Sequence, residues 1–171
     1  SQEWLGKNLN VDRFANGDPI PEARTDEEWK LAGKNKQPAW CYYNNDPAKG
    51  RTYGKLYNWY AVHDPRSLAP SGWHVPNDEE LKTLVTNTTD DDLRSSYGWR
   101  GRDGRNRSGF AGLPGGGRNP DGTFSYLREV GTWWSSTESG EKAGFWYLMS
   151  NSSVRYITNK TNGYSVRCIK D

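Results

Sequence analysis

Residues 131–171 read GTWWSSTESGEKAGFWYLMSNSSVRYITNKTNGYSVRCIKD, and the short apolar and β-branched runs within them decide the fold class. Thr132 to Ser135, Phe145 to Ser150, Ser153 to Thr158 and Tyr164 to Ile169 have the length and residue types of strands. Turn-formers such as Ser139-Gly140 and Asn162-Gly163 separate them, so a small antiparallel sheet is expected at the end of the chain.

Upstream the periodicity changes. TDEEWKLAG, from Thr25, reads as a short peripheral helix in which Thr25 caps, Glu28 completes a capping box and Gly33 ends the run. GKLYNWYAVH, Gly54 to His63, sets Leu56, Tyr57, Tyr60 and Ala61 at helical spacing with Trp59 beside them, and Asp64-Pro65 stops it; a core helix is expected. NDEELKTLV follows, with Asn77 as cap, Glu80 three residues on and Leu81, Leu84 and Val85 as an apolar stripe. From Asn87 to Asp121 the pattern dissolves into Gly, Asn, Asp, Arg and Ser, which predicts long loops. Helices first and strands last argue for an α+β fold, with two helices packed on a small twisted antiparallel sheet, the termini close together and the loops forming one face.

A chain of 171 residues suits one domain. Its nine Trp, ten Tyr and four Phe must supply much of the buried area, because only 33% of residues are hydrophobic. The 23 basic and 21 acidic residues are interspersed, a pattern that does not imply nucleic acid as a partner. No apolar run reaches the roughly 20 residues a membrane helix needs, so direct membrane insertion is not expected. The sequence opens at Ser1 without a Met, as a mature or trimmed chain does, so a missing leader is compatible with export.

The chemistry-bearing residues point away from catalysis. His63 and His74 sit in apolar surroundings and outside any nucleophile motif, and no GxSxG, HExxH or P-loop pattern occurs. Paired carboxylates for glycoside cleavage are unreadable from spacing and remain the enzyme alternative. Asp90-Asp91-Asp92 offers hard oxygen ligands for calcium but lacks the EF-hand spacing, and a solvated turn is the simpler account. Four N-x-S/T triplets, at Asn87, Asn106, Asn151 and Asn159, would accept glycans only in a eukaryotic secreted protein. Cys41 and Cys168 match no metal spacing, and either two buried thiols or one disulfide fits them.

The blocks CYYNND, YGKLYNWYAV, LAPSGWHVPNDEEL, SGFAGLPGG, GTWWSST and SVRCIKD, running from about Trp40 to the end, resemble the Fibrobacter succinogenes major domain family; residues 1–39 match it less clearly. The resemblance implies a C-type-lectin-like fold related to that of formylglycine-generating enzymes, whose catalytic cysteine arrangement is not evident here. It also implies a bacterial exported protein, often a lipoprotein or surface module, and a disulfide between Cys41 and Cys168. The WWSST to SVRC segment is similar to the variable regions of retroelement-diversified proteins.

These considerations converge on a non-catalytic domain, extracellular or on the bacterial cell surface, that recognises a glycan or a protein surface without an obligatory cofactor. The alternatives are a carbohydrate-active enzyme or its accessory module, a diversified binding protein and a structural module. Trp99, Arg102, Asp103, Arg105 and Asn106 in the Gly/Arg run, with Glu138, Tyr147, Asn151, Arg155, Tyr156 and Asn159 in the final strands, are the candidate ligand-binding residues, being of the types that binding loops favour. Two competing accounts bear on that run: Trp99 folding back over the core, and its arginines pairing with nearby acids. Trp59, Trp73, Trp134 and Trp146 are expected in the core.

Overall fold

The computed structural model describes residues 1–171. In chain order the elements are α1 (Asp26–Lys34), β1 (Trp40–Cys41), a 3-10 turn (Tyr43–Asn45), α2 (Pro47–Tyr53), β2 (Leu56–Tyr57), α3 (Trp59–Val62), β3 (Trp73–His74), α4 (Asp78–Thr86) and α5 (Asp90–Leu93). Six further strands follow: β4 (Gly115–Arg118), β5 (Phe124–Leu127), β6 (Gly131–Ser139), β7 (Lys142–Leu148), β8 (Ser153–Asn159) and β9 (Ile169–Lys170). The fold is mixed α and β, with antiparallel pairs β1–β2, β3–β9 and β4–β5 and a three-stranded antiparallel sheet in the order β6-β7-β8.

Helix α4 forms as its sequence dictates. Asn77 Oδ1 accepts the Glu80 N–H at 2.9 Å while Glu80 Oε2 accepts the Asn77 N–H at 2.9 Å, closing the capping box, and Leu81 and Leu84 face inward. In α1, Thr25 caps as expected, but the Glu28 carboxylate accepts from Arg24 N–H, one residue upstream of the cap. Helix α1 also runs one residue past Gly33 and is anchored rather than merely peripheral: Trp29 is buried and its Nε1 donates to the Thr161 carbonyl at 3.1 Å.

Several expectations fail: α2 lies where no element is expected, α5 and β4 form inside the Asn87–Asp121 stretch read as loop, and β6 and β7 run over Gly131–Ser139 and Lys142–Leu148 rather than Thr132–Ser135 and Phe145–Ser150. The helix expected from Gly54 to His63 is broken into strand β2 and the single turn α3, because Asn58 stops one and caps the other. Its Oδ1 accepts the N–H groups of Ala39 and Ala61 at 3.1 Å each, and its Nδ2 donates to Gln37 O at 2.8 Å, which aligns β2 with β1. Leu56, Tyr57 and Ala61 are buried either way, so their apolarity could not separate helix from strand. The strand expected from Tyr164 to Ile169 survives only as β9 and as isolated bridges from Tyr164 to Tyr57 and from Ser165 to Trp133.

The N-terminal segment closes the molecule. Leu5 and Leu9 N–H donate to Cys168 and Val166 carbonyls at 3.0 and 2.8 Å, and Lys170 N–H donates to Glu3 O at 2.9 Å, so the termini run side by side. Beside this seam lies a fully buried arginine with no carboxylate partner. Arg167 donates to Asn8 Oδ1 from Nε and Nη2 at 3.2 and 3.0 Å and to the carbonyls of Leu5, Phe110 and Ala111, and burial pushes its pKa down to about 9. Arg118, equally buried, lies over Trp29 and Phe124 and donates to Ala23 O and Gly122 O at 2.8 and 2.9 Å. Much of the chain has no regular structure, and these guanidiniums satisfy its loop carbonyls.

The disulfide implied by the family resemblance does not form. Cys41 and Cys168 are both free, buried thiols, Cys41 packed with Trp29, Tyr43 and Leu56 and Cys168 with Tyr57, Trp134 and Val166 in a different cluster. Burial raises each thiol's pKa to about 12, so both stay protonated and inert.

Candidate functional site

The three-stranded sheet has two faces, and they end up in different environments. Register puts Trp133, Trp146 and Arg155 side by side on one face, and Thr132, Tyr147 and Val154, then Trp134, Phe145 and Tyr156, on the other. The first face is covered. Trp133, Trp146 and Leu148 pack with Leu81 and Leu84 of α4, with Leu93, and with Trp99 and Phe110 from the long loop.

The Gly/Arg run thus serves the covered face. Trp99 is only 5% exposed, and its Nε1 donates to Ser95 Oγ and Gly112 O at 3.1 and 3.2 Å, so it cannot be an exposed stacking platform. Asp103 Oδ1 accepts the Trp99 N–H at 3.0 Å. Arg102 pairs with Asp91 at 2.9 Å and Arg105 with Asp92 at 3.2 Å, while Asn106, at φ +50°, accepts the Ala111 N–H at 2.8 Å. The polar side chains of Arg102, Asp103, Arg105 and Asn106 are engaged in holding the loop.

Asp90, Asp91 and Asp92 form the single turn α5, capped by Thr89, rather than a solvated turn. Asp91 is also joined to the buried Arg94, and Asp90 accepts from Ser153 Oγ at 2.7 Å. No group of three or more His, Cys, Asp or Glu is arranged around a common point, so the calcium expectation finds no ligand set here.

The opposite face is covered at Trp134 and Ala143, which are buried in the largest core cluster, and is open beside Thr132, Phe145 and Tyr147. Between it and the β4–β5 hairpin lies a cleft of about 360 Å³, lined by Gly117, Asn119, Ser125, Tyr126, Val130, Thr132, Phe145, Tyr147, Met149 and Tyr164. Its aromatic wall is pre-ordered: Phe145 stacks on Tyr164 at 5.1 Å and on Tyr147 at 5.8 Å, and Tyr164 leans on the buried Trp134 at 4.7 Å. Burial raises the Tyr164 pKa, which keeps the phenol neutral. At the mouth, Tyr126 is 63% exposed and held at φ +71°, a costly conformation for a tyrosine. Asn119 Nδ2 donates to Thr123 Oγ1 and Ser125 Oγ at 3.0 and 2.9 Å, fixing the amide against the hairpin. Gly117 forms part of the lining, and a Cβ there would meet the Tyr164 ring at 3.0 Å.

Of the candidate residues in the final strands, Tyr147 lines the cleft and Tyr156, 68% exposed, continues its face next to Phe145. Asn151 lies exposed in the β7–β8 turn. Glu138 is held by Lys160 at 2.5 Å, and that hydrogen bond lowers its pKa. Arg155 points to the covered face, where it donates to Asp78 O at 3.4 Å, and Asn159 sits at the far end of β8. The two groups of candidates therefore do not form one surface. Sequence reasoning missed Tyr126, Phe145, Met149 and Tyr164, although Phe145, Tyr147 and Met149 recur at the two-residue period of one sheet face.

The histidines take structural positions. His63 stacks on Trp59 at 4.5 Å. His74 lies between Asp171 Oδ1 at 2.7 Å and Glu80 Oε1 at 2.8 Å; burial opposes its charge, but the two hydrogen bonds outweigh that and raise its pKa. With a carboxylate facing each ring nitrogen, both nitrogens are engaged in tying β3 to α4 and to Asp171.

Architecture and cleft together define a mixed α/β domain with an aromatic, uncharged pocket on one sheet face. The chain belongs to the Fibrobacter succinogenes major domain family, whose family model matches residues 1–170 and so includes the N-terminal segment that resembled it less clearly. No curated protein and no solved structure matches the chain.

Proposed function

We propose that this is a non-catalytic ligand-binding domain of a bacterial surface protein or lipoprotein, and that its ligand is a neutral, ring-bearing unit of an extracellular glycan held in the tyrosine cleft. One observation carries the reading: the cleft's wall is flat aromatic surface, with the polar side chains Asn119, Ser125 and Thr132 also in its lining and no acidic, basic, His or Cys side chain. Aromatic faces receive the C–H face of a sugar, and a few fixed amides and hydroxyls orient its hydroxyls. A lining whose hydroxyls have no carboxylate or imidazole beside them to activate them suits capture better than turnover.

The adjacent termini, the mixed architecture and the cleft on the three-stranded sheet are compatible with a C-type-lectin-like fold, which we adopt as part of the same reading. In an oxidising compartment two buried thiols packed in different clusters would stay reduced, so export does not require the disulfide.

The test is a glycan-array screen of the purified domain, with and without calcium, repeated with Tyr147→Ala. The proposal expects binding to a defined set of neutral glycans, independent of calcium and lost in the variant. Binding to proteins or cells but to no glycan would move the ligand class to protein, and turnover of any retained glycan would overturn the non-catalytic reading.

A further inference from the structure

The outer strand of the three-stranded sheet is open along its edge, and this observation is independent of the cleft. Strand β8 lies at the margin of the order β6-β7-β8 and takes part in no bridge beyond β7. In the β7–β8 turn the Met149 N–H donates to the Ser152 carbonyl at 2.7 Å, which sets the alternation of the ladder. Val154, Tyr156 and Thr158 therefore bond to β7, while Ser153, Arg155 and Ile157 turn their N–H and C=O groups outward, where they find no backbone partner. Val154, Tyr156 and Ile157 are exposed at 38%, 68% and 41%, so a seven-residue strand combines unpaired backbone with apolar side chains. Natural edge strands are usually blunted by charge, proline or a bulge, and this one carries a single arginine.

We propose that β8 is a self-association edge, pairing antiparallel with β8 of a second copy about a twofold axis at Tyr156 to make a continuous six-stranded sheet. The strand's own pattern selects this partner and register. Centring on Tyr156 sets its ring against its counterpart, Arg155 opposite Ile157, Val154 opposite Thr158 and Ser153 opposite Asn159. Centring one residue earlier would oppose Arg155 to Arg155. Charge is complementary along the axis as well. Asp90 is bonded to Ser153 at one end of β8, and Lys142, which has no acid partner, is paired with Asn159 at the other, so the twofold brings Asp90 of each copy toward Lys142 of its mate. A twofold within a sheet runs perpendicular to it, so both clefts open on the same side and the pair presents two binding sites together.

The register makes a sharp test. Tyr156 falls in a non-hydrogen-bonded pair across the new ladder, where Cα atoms lie about 4.5 Å apart, inside the roughly 4.4–6.8 Å range that a disulfide spans. The two native thiols are buried, so an introduced cysteine is the reactive one. Tyr156→Cys is expected to form an intermolecular disulfide under mild oxidation, and Val154→Cys, whose mate is Thr158, is not. Sedimentation of the unmodified chain should show a concentration-dependent dimer, weakened roughly 100-fold by Ile157→Pro, which deletes an outward donor. A monomer at every concentration with no cross-link from Tyr156→Cys overturns the proposal, as does equal cross-linking by Val154→Cys, or a monomer that accepts only an extended peptide along β8.

Discussion

The two faces of the β6–β7–β8 sheet are both rich in aromatic residues, yet one is sealed and the other, buried at Trp134 and Ala143, opens into a cleft beside Phe145 and Tyr147. On the sealed face Trp133, Trp146, Trp99 and Phe110 pack beneath α4 and the Gly/Arg loop, and Arg102 and Arg105 of that loop pair with Asp91 and Asp92 of α5. On the other face Phe145, Tyr147 and Tyr164 are ordered by stacking and stay half-buried, lining a cleft against the β4–β5 hairpin. Composition marks both regions as binding surface. What separates them is whether the fold itself supplies partners for the side chains.

That contrast can be broken by substitution, and the largest effect belongs to the sealed face. Trp99→Ala should cost about 3–5 kcal/mol of stability, read as a lowered denaturant midpoint, while leaving the affinity of the folded fraction unchanged. Tyr147→Ala should do the reverse, weakening ligand binding at least about tenfold, or about 1.4 kcal/mol, in a calorimetric titration with little change in thermal midpoint.

A smaller effect distinguishes the faces by pH. The His74 contacts tie β3 and Asp171 to Glu80 in the first turn of α4, and the folded-state pKa is raised. Their stabilisation is therefore fully present below the unfolded value of about 6.5 and is lost as pH climbs through the higher folded value. The thermal-midpoint difference between the native chain and His74→Gln should shrink as pH rises from 5 to 8, on the order of the modest linkage expected for a half-exposed ring, while cleft affinity stays flat. Smallest of all is Arg105→Ala, expected to change both stability and binding by less than about 0.5 kcal/mol because its ion pairs are partly exposed.

The sequence shows some of this directly. Capping at Thr25 and Asn77 is local chemistry, so α1 and α4 were legible to within a residue or two, and the presence of β6, β7 and β8 was readable from residue types and turns, though β6 runs four residues beyond the expected end and β7 starts three residues before the expected start. The break at Asn58 was not, because it depends on Ala39 and Gln37, some twenty residues away. The buried roles of Arg94, Arg118 and Arg167 were equally hidden, since their partners are loop carbonyls and two aspartates brought together only by folding. Tyr147 and Tyr156 were found by residue type, whereas on the hairpin side of the cleft Asn119 lies in the stretch read as loop and Ser125 and Tyr126 lie in no run singled out as a strand.

The most direct test is a nitrogen-15 chemical-shift titration of the domain with a panel of neutral oligosaccharides, which detects weak binding and reports its location at once. The cleft account predicts perturbations clustered at Tyr126, Val130, Tyr147, Met149 and Tyr164, with residues 100–107 silent. Perturbations centred on Arg102, Asp103, Arg105 and Asn106, with the tyrosine cleft unmoved, would contradict it.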